Sequence, residues 1–95
     1  MRRIRQSSQA WRDIVDAMLF IAEDNLSAAD AMIGIIDRKL QMLAIHPELG
    51  QERSDLGDNL RCTTAGSYVL VYRATAEEIE LVRVIHSARD IDALF

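Results

Sequence analysis

Apolar positions along this chain recur with two different periods, a helical one in the first half and an alternating one in the second. Trp11, Ile14, Val15, Met18, Ile21 and Ala22 recur at i, i+3 and i+4 spacings, which places them on one face of a helix. Ser7 or Ser8 is the expected N-cap, because a short side-chain oxygen there can accept from a first-turn amide that has no helical partner. The polar run Glu23, Asp24, Asn25 should end this helix.

A second helix is predicted directly after it. Ser27 and Asp30 have the spacing of a capping box, and Ala29, Ile33, Ile36, Leu40 and Leu43 carry the period onward. Met32, Ile35 and Met42 widen the apolar face, so this helix is expected to touch both the first helix and a sheet. Gly34 in mid-helix costs about 1 kcal/mol relative to alanine, which points to close helix–helix approach. Pro47 disfavours helical backbone at His46 and stops the helix. The two helices, joined by a short turn, form an antiparallel hairpin.

Residues 46–58 contain a proline, two glycines and mixed charge, and read as one long loop. Beyond them the period becomes two. Residues 60–64 are a modest strand and residues 65–67 a turn. Tyr68-Val-Leu-Val-Tyr-Arg73 and Ile79-Glu-Leu-Val-Arg-Val-Ile85, separated by the polar residues 74–78, are the two strands of a central hairpin. Alternation sets Tyr68, Leu70 and Tyr72 on one face and Val69, Val71 and Arg73 on the other. Around Ile4, residues 2–6 form a weak candidate for a first strand with a charged edge. The predicted fold is α+β: one domain spanning residues 1–95, with a short N-terminal strand and an antiparallel helical hairpin packed on a small antiparallel sheet. Helices can cover only one face of that sheet, so its other apolar face is expected to remain open to a partner.

Composition narrows the function. The sequence is 49% hydrophobic and 27% charged, and no apolar run approaches the roughly 20 residues that span a bilayer. The basic start of the chain has no apolar segment behind it, so it reads as mature protein, and a single cysteine, Cys62, allows no intrachain disulfide; both fit a cytoplasmic protein. Net charge is −4, with Lys39 the only lysine, which argues against gripping a nucleic-acid backbone directly or reading its sequence. His46 and His86 have no ligand set around them, so neither a metal nor another cofactor is expected. Cys62 reads as a small strand residue.

One segment is more specific than composition. Arg83-Val-Ile-His86, followed by Ala88-Arg89-Asp90, closes a chain that also carries a Ser-led helix with Trp11 and Ile14. A His46-Pro47 helix stop with Gly50, then Arg53, Asp55-Leu56, Leu60-Arg61 and a Tyr72-Arg73 strand end complete the pattern. This arrangement resembles the RelE/ParE superfamily of type II toxins, in its ParE-like branch.

The resemblance implies a toxin held inactive by a cognate antitoxin, expected to be a ribbon-helix-helix protein of the ParD type that forms a hetero-oligomer with it. The antitoxin groove would then draw on Trp11, Ile14, Met18, Tyr68, Leu70 and Tyr72. ParE-like members inhibit DNA gyrase by protein contact; here the target-facing residues would be Arg83, His86, Arg89, Asp90, Leu94 and Phe95. RelE-like members cut messenger RNA on the ribosome, and in that case the reacting set would be Arg61, Arg83, His86 and Arg89. Such a nuclease needs a base, a phosphate-binding cation and an acid. This chain has no lysine after Lys39 and no Tyr or His after His86, which favours the non-enzymatic branch. A degenerate toxin that only binds its antitoxin is the third reading. The residues also admit a structural role for Arg83, Arg89 and Asp90, with a carboxylate fixing an arginine that leaves a central strand. Leu94 and Phe95 can equally belong to a closing turn.

Overall fold

The computed structural model describes residues 1–95. Strand β1 (Arg3–Gln6) leads into helices α1 (Ser8–Ala22) and α2 (Leu26–Ile45); a 3₁₀ turn (Pro47–Leu49) and strand β2 (Gln51–Glu52) follow. Strands β3 (Arg61–Ala65), β4 (Tyr68–Ala74) and β5 (Glu78–His86) complete one five-stranded sheet in the order β1-β5-β4-β3-β2, and a second 3₁₀ turn (Asp92–Leu94) closes the chain. The α+β architecture is the one expected, with one difference: β1 runs parallel to β5, so the sheet is mixed. The chain between these two strands, residues 7–77, holds the helical hairpin and the other three strands, well beyond the roughly dozen residues a parallel crossover needs.

Apolar periodicity explains the main core. Ile14 of α1 and Met32, Ile36, Leu40 and Leu43 of α2 pack on Leu70, Tyr72, Ile79, Leu81 and Val84 of the sheet. Alternation alone would send Leu81 and Val84 to opposite faces. A bulge corrects this: Val71 pairs with Arg83 and Tyr72 with Leu81, leaving Val82 as the extra residue and returning Val84 to the helix side.

Several local expectations are revised. Asn25, not Ser27, caps α2, its side chain accepting from the Ala28 amide at 3.0 Å, because the helix starts two residues earlier than the capping-box spacing implied. Gly34 does not mark a helix–helix approach, since a Cβ there would first meet the Arg38 guanidinium of its own helix. Ile33, Ile35 and Met42 stay exposed. The segment read as one loop contains the Pro47–Leu49 turn and β2. It is pinned by Tyr72, whose hydroxyl donates to the Pro47 carbonyl at 2.6 Å and accepts from the Gly50 amide at 2.8 Å.

The second sheet face is not open. Leu60, Val71 and Ile85 form a small core there, covered by Leu56 from the 53–60 connection and by Ile91 and Leu94 from the last turn. Arg53 ties these two covers together through Asp55 at 2.9 Å and Asp92 at 2.7 Å. Further along that face the surface is a charge ladder, Arg5 to Glu80 at 3.1 Å and Glu80 to Arg73 at 3.7 Å. No helix is long and apolar enough to cross a membrane.

Candidate functional site

The functional candidates are distributed by the way α1 meets β5. Strand β1 pairs with β5 only as far as Leu81, so the next residues of β5 have a bare edge. Two side chains of the β1–α1 segment complete it. Ser7 caps α1 by accepting from the Ala10 amide and donates its hydroxyl to the Val82 carbonyl, while its own amide donates to Leu81. Asp13, one turn further on, accepts from the Val84 amide at 2.9 Å and takes a two-pronged contact from the Arg83 guanidinium at 2.8 and 3.2 Å. Burial alone would raise the Asp13 carboxyl, but the bonds from Arg83, Val84 and Gln9 outweigh it and hold the group below the usual carboxylate range. Arg83 is therefore fixed by a carboxylate, as its structural reading required. The partner is Asp13, on a different element from the neighbouring Asp90.

Beside this pair lies an open cleft of about 740 Å³. Asp16, Ala17 and Phe20 of α1 form one wall; Tyr68, His86 and Arg89 form the other. His86 stands edge-on to Tyr68, ring centres 5.3 Å apart, and its Nδ1 accepts from the Ala88 amide at 3.1 Å. Nε2 has no hydrogen-bond partner within the chain. The Arg89 side chain makes no hydrogen bond or ion pair, which leaves a free cation at the rim. Asp90 accepts from the Asp92 amide and shapes the final turn.

Arg61 lies elsewhere. It pairs across from Tyr72, whereas His86 pairs across from Tyr68, about 13 Å away along β4 at the usual strand rise. Its guanidinium donates to the Gly50 carbonyl at 2.7 Å and to Glu52 at 3.1 Å. The set Arg61, Arg83, His86 and Arg89 thus splits into His86 and Arg89 in the cleft, Arg83 paired beside them, and Arg61 at the far end.

The six groove candidates separate in the same way. Leu70 and Tyr72 are fully buried and Ile14 nearly so, because they supply the core between helices and sheet. They are not available as a surface groove. Met18 and Tyr68 lie at the margin of that core, and only Trp11 is well exposed, at 59%. Of the target candidates, Leu94 packs into the second core and Phe95 stays 42% exposed. No three His, Cys, Asp or Glu side chains converge as metal ligands would. Cys62 is half-buried, and desolvation pushes its thiol pKa up, the opposite of what a nucleophile needs.

A family model described as the ParE toxin of the type II toxin-antitoxin system parDE matches residues 4–91. The chain belongs to this toxin family. Two curated relatives from Caulobacter vibrioides are similar to it. Toxin ParE3 is 24% identical over 94 residues, covering 98% of this chain and 94% of the relative, and Toxin RelE3 is 30% identical over 88 residues, covering 92% and 96%. Among solved structures, the chromosomal ParDE system of P. aeruginosa aligns with a TM-score of 0.70 at 18% identity, over 90% of this chain and 96% of that one. YafQ from E. coli aligns over 100% and 99% with a TM-score of 0.54, also at 18% identity. At that identity the two structures speak for the fold.

Within the ParE-family frame, sequence reasoning missed Ser7 and Asp13 as edge-completing residues. One signal was available for Asp13: it directly precedes Ile14 and lies one turn before Ala17, so it borders a buried helix face. Arg83, on a central strand, was the cation that could meet it.

Proposed function

We propose that this ParE-family toxin acts by protein contact on DNA gyrase and is neutralised by a cognate antitoxin of the ribbon-helix-helix type. Both partners would meet it in the cytoplasm. The observation that carries the choice of target is the pairing of Arg83 with Asp13. In-line cleavage of RNA needs a cation free to stabilise the pentacoordinate phosphate, with an acid and a base within hydrogen-bond reach of the same phosphate. Arg83 is neutralised on both prongs, and Arg61 is committed to Gly50 and Glu52. The net charge of −4 adds no general attraction for RNA.

Purified toxin should block supercoiling by gyrase and accumulate cleaved gyrase–DNA complexes. Unchanged supercoiling at saturating toxin would sink the proposal.

A second reading keeps a specific motive. His86 and Arg89 lie together in an open cleft, and the more identical of the two curated relatives bears the name RelE3. Primer extension on translating ribosomes decides it: new 5′ ends inside messages would establish cleavage, and intact messages would remove it.

A further inference from the structure

Ser7 and Asp13 complete the outer edge of β5 only as far as the Val84 amide. Past that point the strand register decides where each backbone group goes. Val69 pairs across from Ile85, and the Ser87 amide donates to the Ser67 carbonyl at 2.9 Å, so the odd-numbered residues of this stretch bond to β4. Val84 and His86 therefore turn their amides and carbonyls away from β4, toward α1. Two of those four groups are taken: Asp13 accepts from the Val84 amide, and the Arg89 amide donates to the His86 carbonyl at 3.0 Å. The Val84 carbonyl and the His86 amide have no partner in the chain. Val84 is only 4% exposed, a position where an unmet backbone group is costly, and both residues line the open cleft.

These two groups have the spacing of a strand partner with a fixed direction. In a parallel pair, one residue donates its amide to the carbonyl before its opposite number and accepts from the amide after it. Arg3 of β1 follows this rule, registering with Glu78 and donating to the Glu77 carbonyl. A residue placed opposite Ile85 would serve Val84 and His86 in the same way. An antiparallel residue exchanges both bonds with one residue opposite, and neither Val84 nor His86 has both groups free. The gap is one residue long, because the Asp13 carboxylate occupies the edge before it and the Arg89 amide the edge after it. A chain added in the direction of β5 must stop there, in the cleft that the unpaired Arg89 guanidinium lines.

We infer that the cleft captures the free C-terminus of a second protein chain as a one-residue parallel extension of the sheet. The last residue donates its amide to the Val84 carbonyl, and its carboxylate accepts from the His86 amide and from Arg89. The side chain before it alternates to the helix side, where Ala17, Phe20 and Ile21 offer an apolar wall, so that position is apolar. Asp13 does not oppose the incoming carboxylate, being neutralised by Arg83. Asp16 is the one unpaired acid of the cleft, and it disfavours an additional acidic side chain on the ligand. The tail of a second copy is a poor occupant, because Leu94 packs into the small core and the Phe95 amide is bonded to Asp92. Capture involves neither gyrase nor cleaved RNA, so the inference and the proposed function can fail independently.

The probes are short N-acetylated peptides of one sequence, with an apolar penultimate residue and no acidic side chain. One has a free C-terminus, one a C-terminal amide, and one a methyl group on its last backbone nitrogen. Titrated into isotope-labelled full-length toxin, the free acid should move the His86 amide resonance saturably. Amidation and N-methylation should each weaken binding by about tenfold, since each removes one hydrogen bond or the charge that strengthens it. Arg89→Met leaves no internal bond unmet; it should bring the free acid down to the level of the amide while the amide peptide binds as before. Equal binding of acid and amide, an unmoved His86 resonance with all three peptides, or an undiminished preference for the acid in Arg89→Met would each overturn the inference. So would a His86 shift that the toxin alone shows with rising concentration and that deletion of its own Phe95 removes.

Discussion

The Tyr72 hydroxyl lies 2.8 Å from the Gly50 amide, and this contact, with the hydroxyl's bond to the Pro47 carbonyl, joins the central strand β4 to the segment that follows α2. Desolvation raises the pKa of the phenol, the expected consequence of a hydroxyl with no exposed surface. Tyr72→Phe removes the bond to Gly50 and the one to Pro47 together and leaves a buried amide without an acceptor. It should cost about 1–3 kcal/mol in urea unfolding. Gly50→Ala tests the same contact from the other side: a Cβ there would sit 2.4 Å from the hydroxyl, so the ring or the segment must move. A loss of about 1–3 kcal/mol is expected for that overpacking as well. Wild-type stability in both variants would show that the segment is held by something else.

The Arg83–Asp13 pair should behave as a unit. Its side chains are 21% and 11% exposed, and each partner alone would be a poorly solvated charge. Arg83→Met or Asp13→Asn should each destabilise by about 3 kcal/mol, while the double variant should lose clearly less than the sum. Additive losses would mean that the two groups do not support each other. The cycle also bears on function. If Arg83 is structural, gyrase inhibition by its variants should follow the folded fraction alone.

Asp13 also sets a pH dependence. Its folded pKa lies below the ordinary carboxylate value near 3.9. A depressed folded pKa contributes stability that is full above the unfolded value and is lost as pH falls through the folded one. Stability should therefore decline below about pH 4 in the wild type. Asp13→Asn should flatten that decline, although it lowers stability at pH 7. The same slope in both proteins would assign the acid sensitivity to other carboxylates. Asp55 is also depressed by its bond to Arg53, but its side chain is 61% exposed, so solvent and salt screen its contribution.

Legibility followed the range of each interaction. Ile36, Leu40 and Leu43 were readable as core because the helical period is a local property of the sequence. The parallel placement of β1 was not, since it depends on the crossover and pairs residues more than 70 positions apart. Asp13 escaped for the same reason: its partners Arg83 and Val84 are separated from it by 70 and 71 residues. The bulge at Val82 shifted the strand phase after Leu81, which strict alternation could not anticipate. Tyr72 was placed on the correct face and given the wrong role, because alternation distinguishes two faces of a sheet without saying which is covered. The C-terminal residues were ambiguous until Arg53, almost forty positions earlier, was seen to hold Asp92.

That last contact makes the closing turn a separately testable unit. Ile91 and Leu94 cover the small core of Leu60, Val71 and Ile85, and Cys62 lies against the same cluster. The turn's polar anchor is one ion pair, Arg53 to Asp92, on an Asp side chain that is 72% exposed, so salt should weaken it. Opening of this turn should therefore need less free energy than global unfolding, and it should uncover Cys62. Thiol labelling under native conditions reads that opening directly. Leu94→Ala should speed Cys62 labelling while the main urea transition moves little, because Leu94 is only partly buried and lies outside the helix–sheet core. Asp92→Asn should speed labelling at low salt and converge on the wild type at high salt. If labelling in all three proteins instead tracks global stability, the turn is an integral part of the fold, and Leu94 and Phe95 have no independent mobility with which to engage a target.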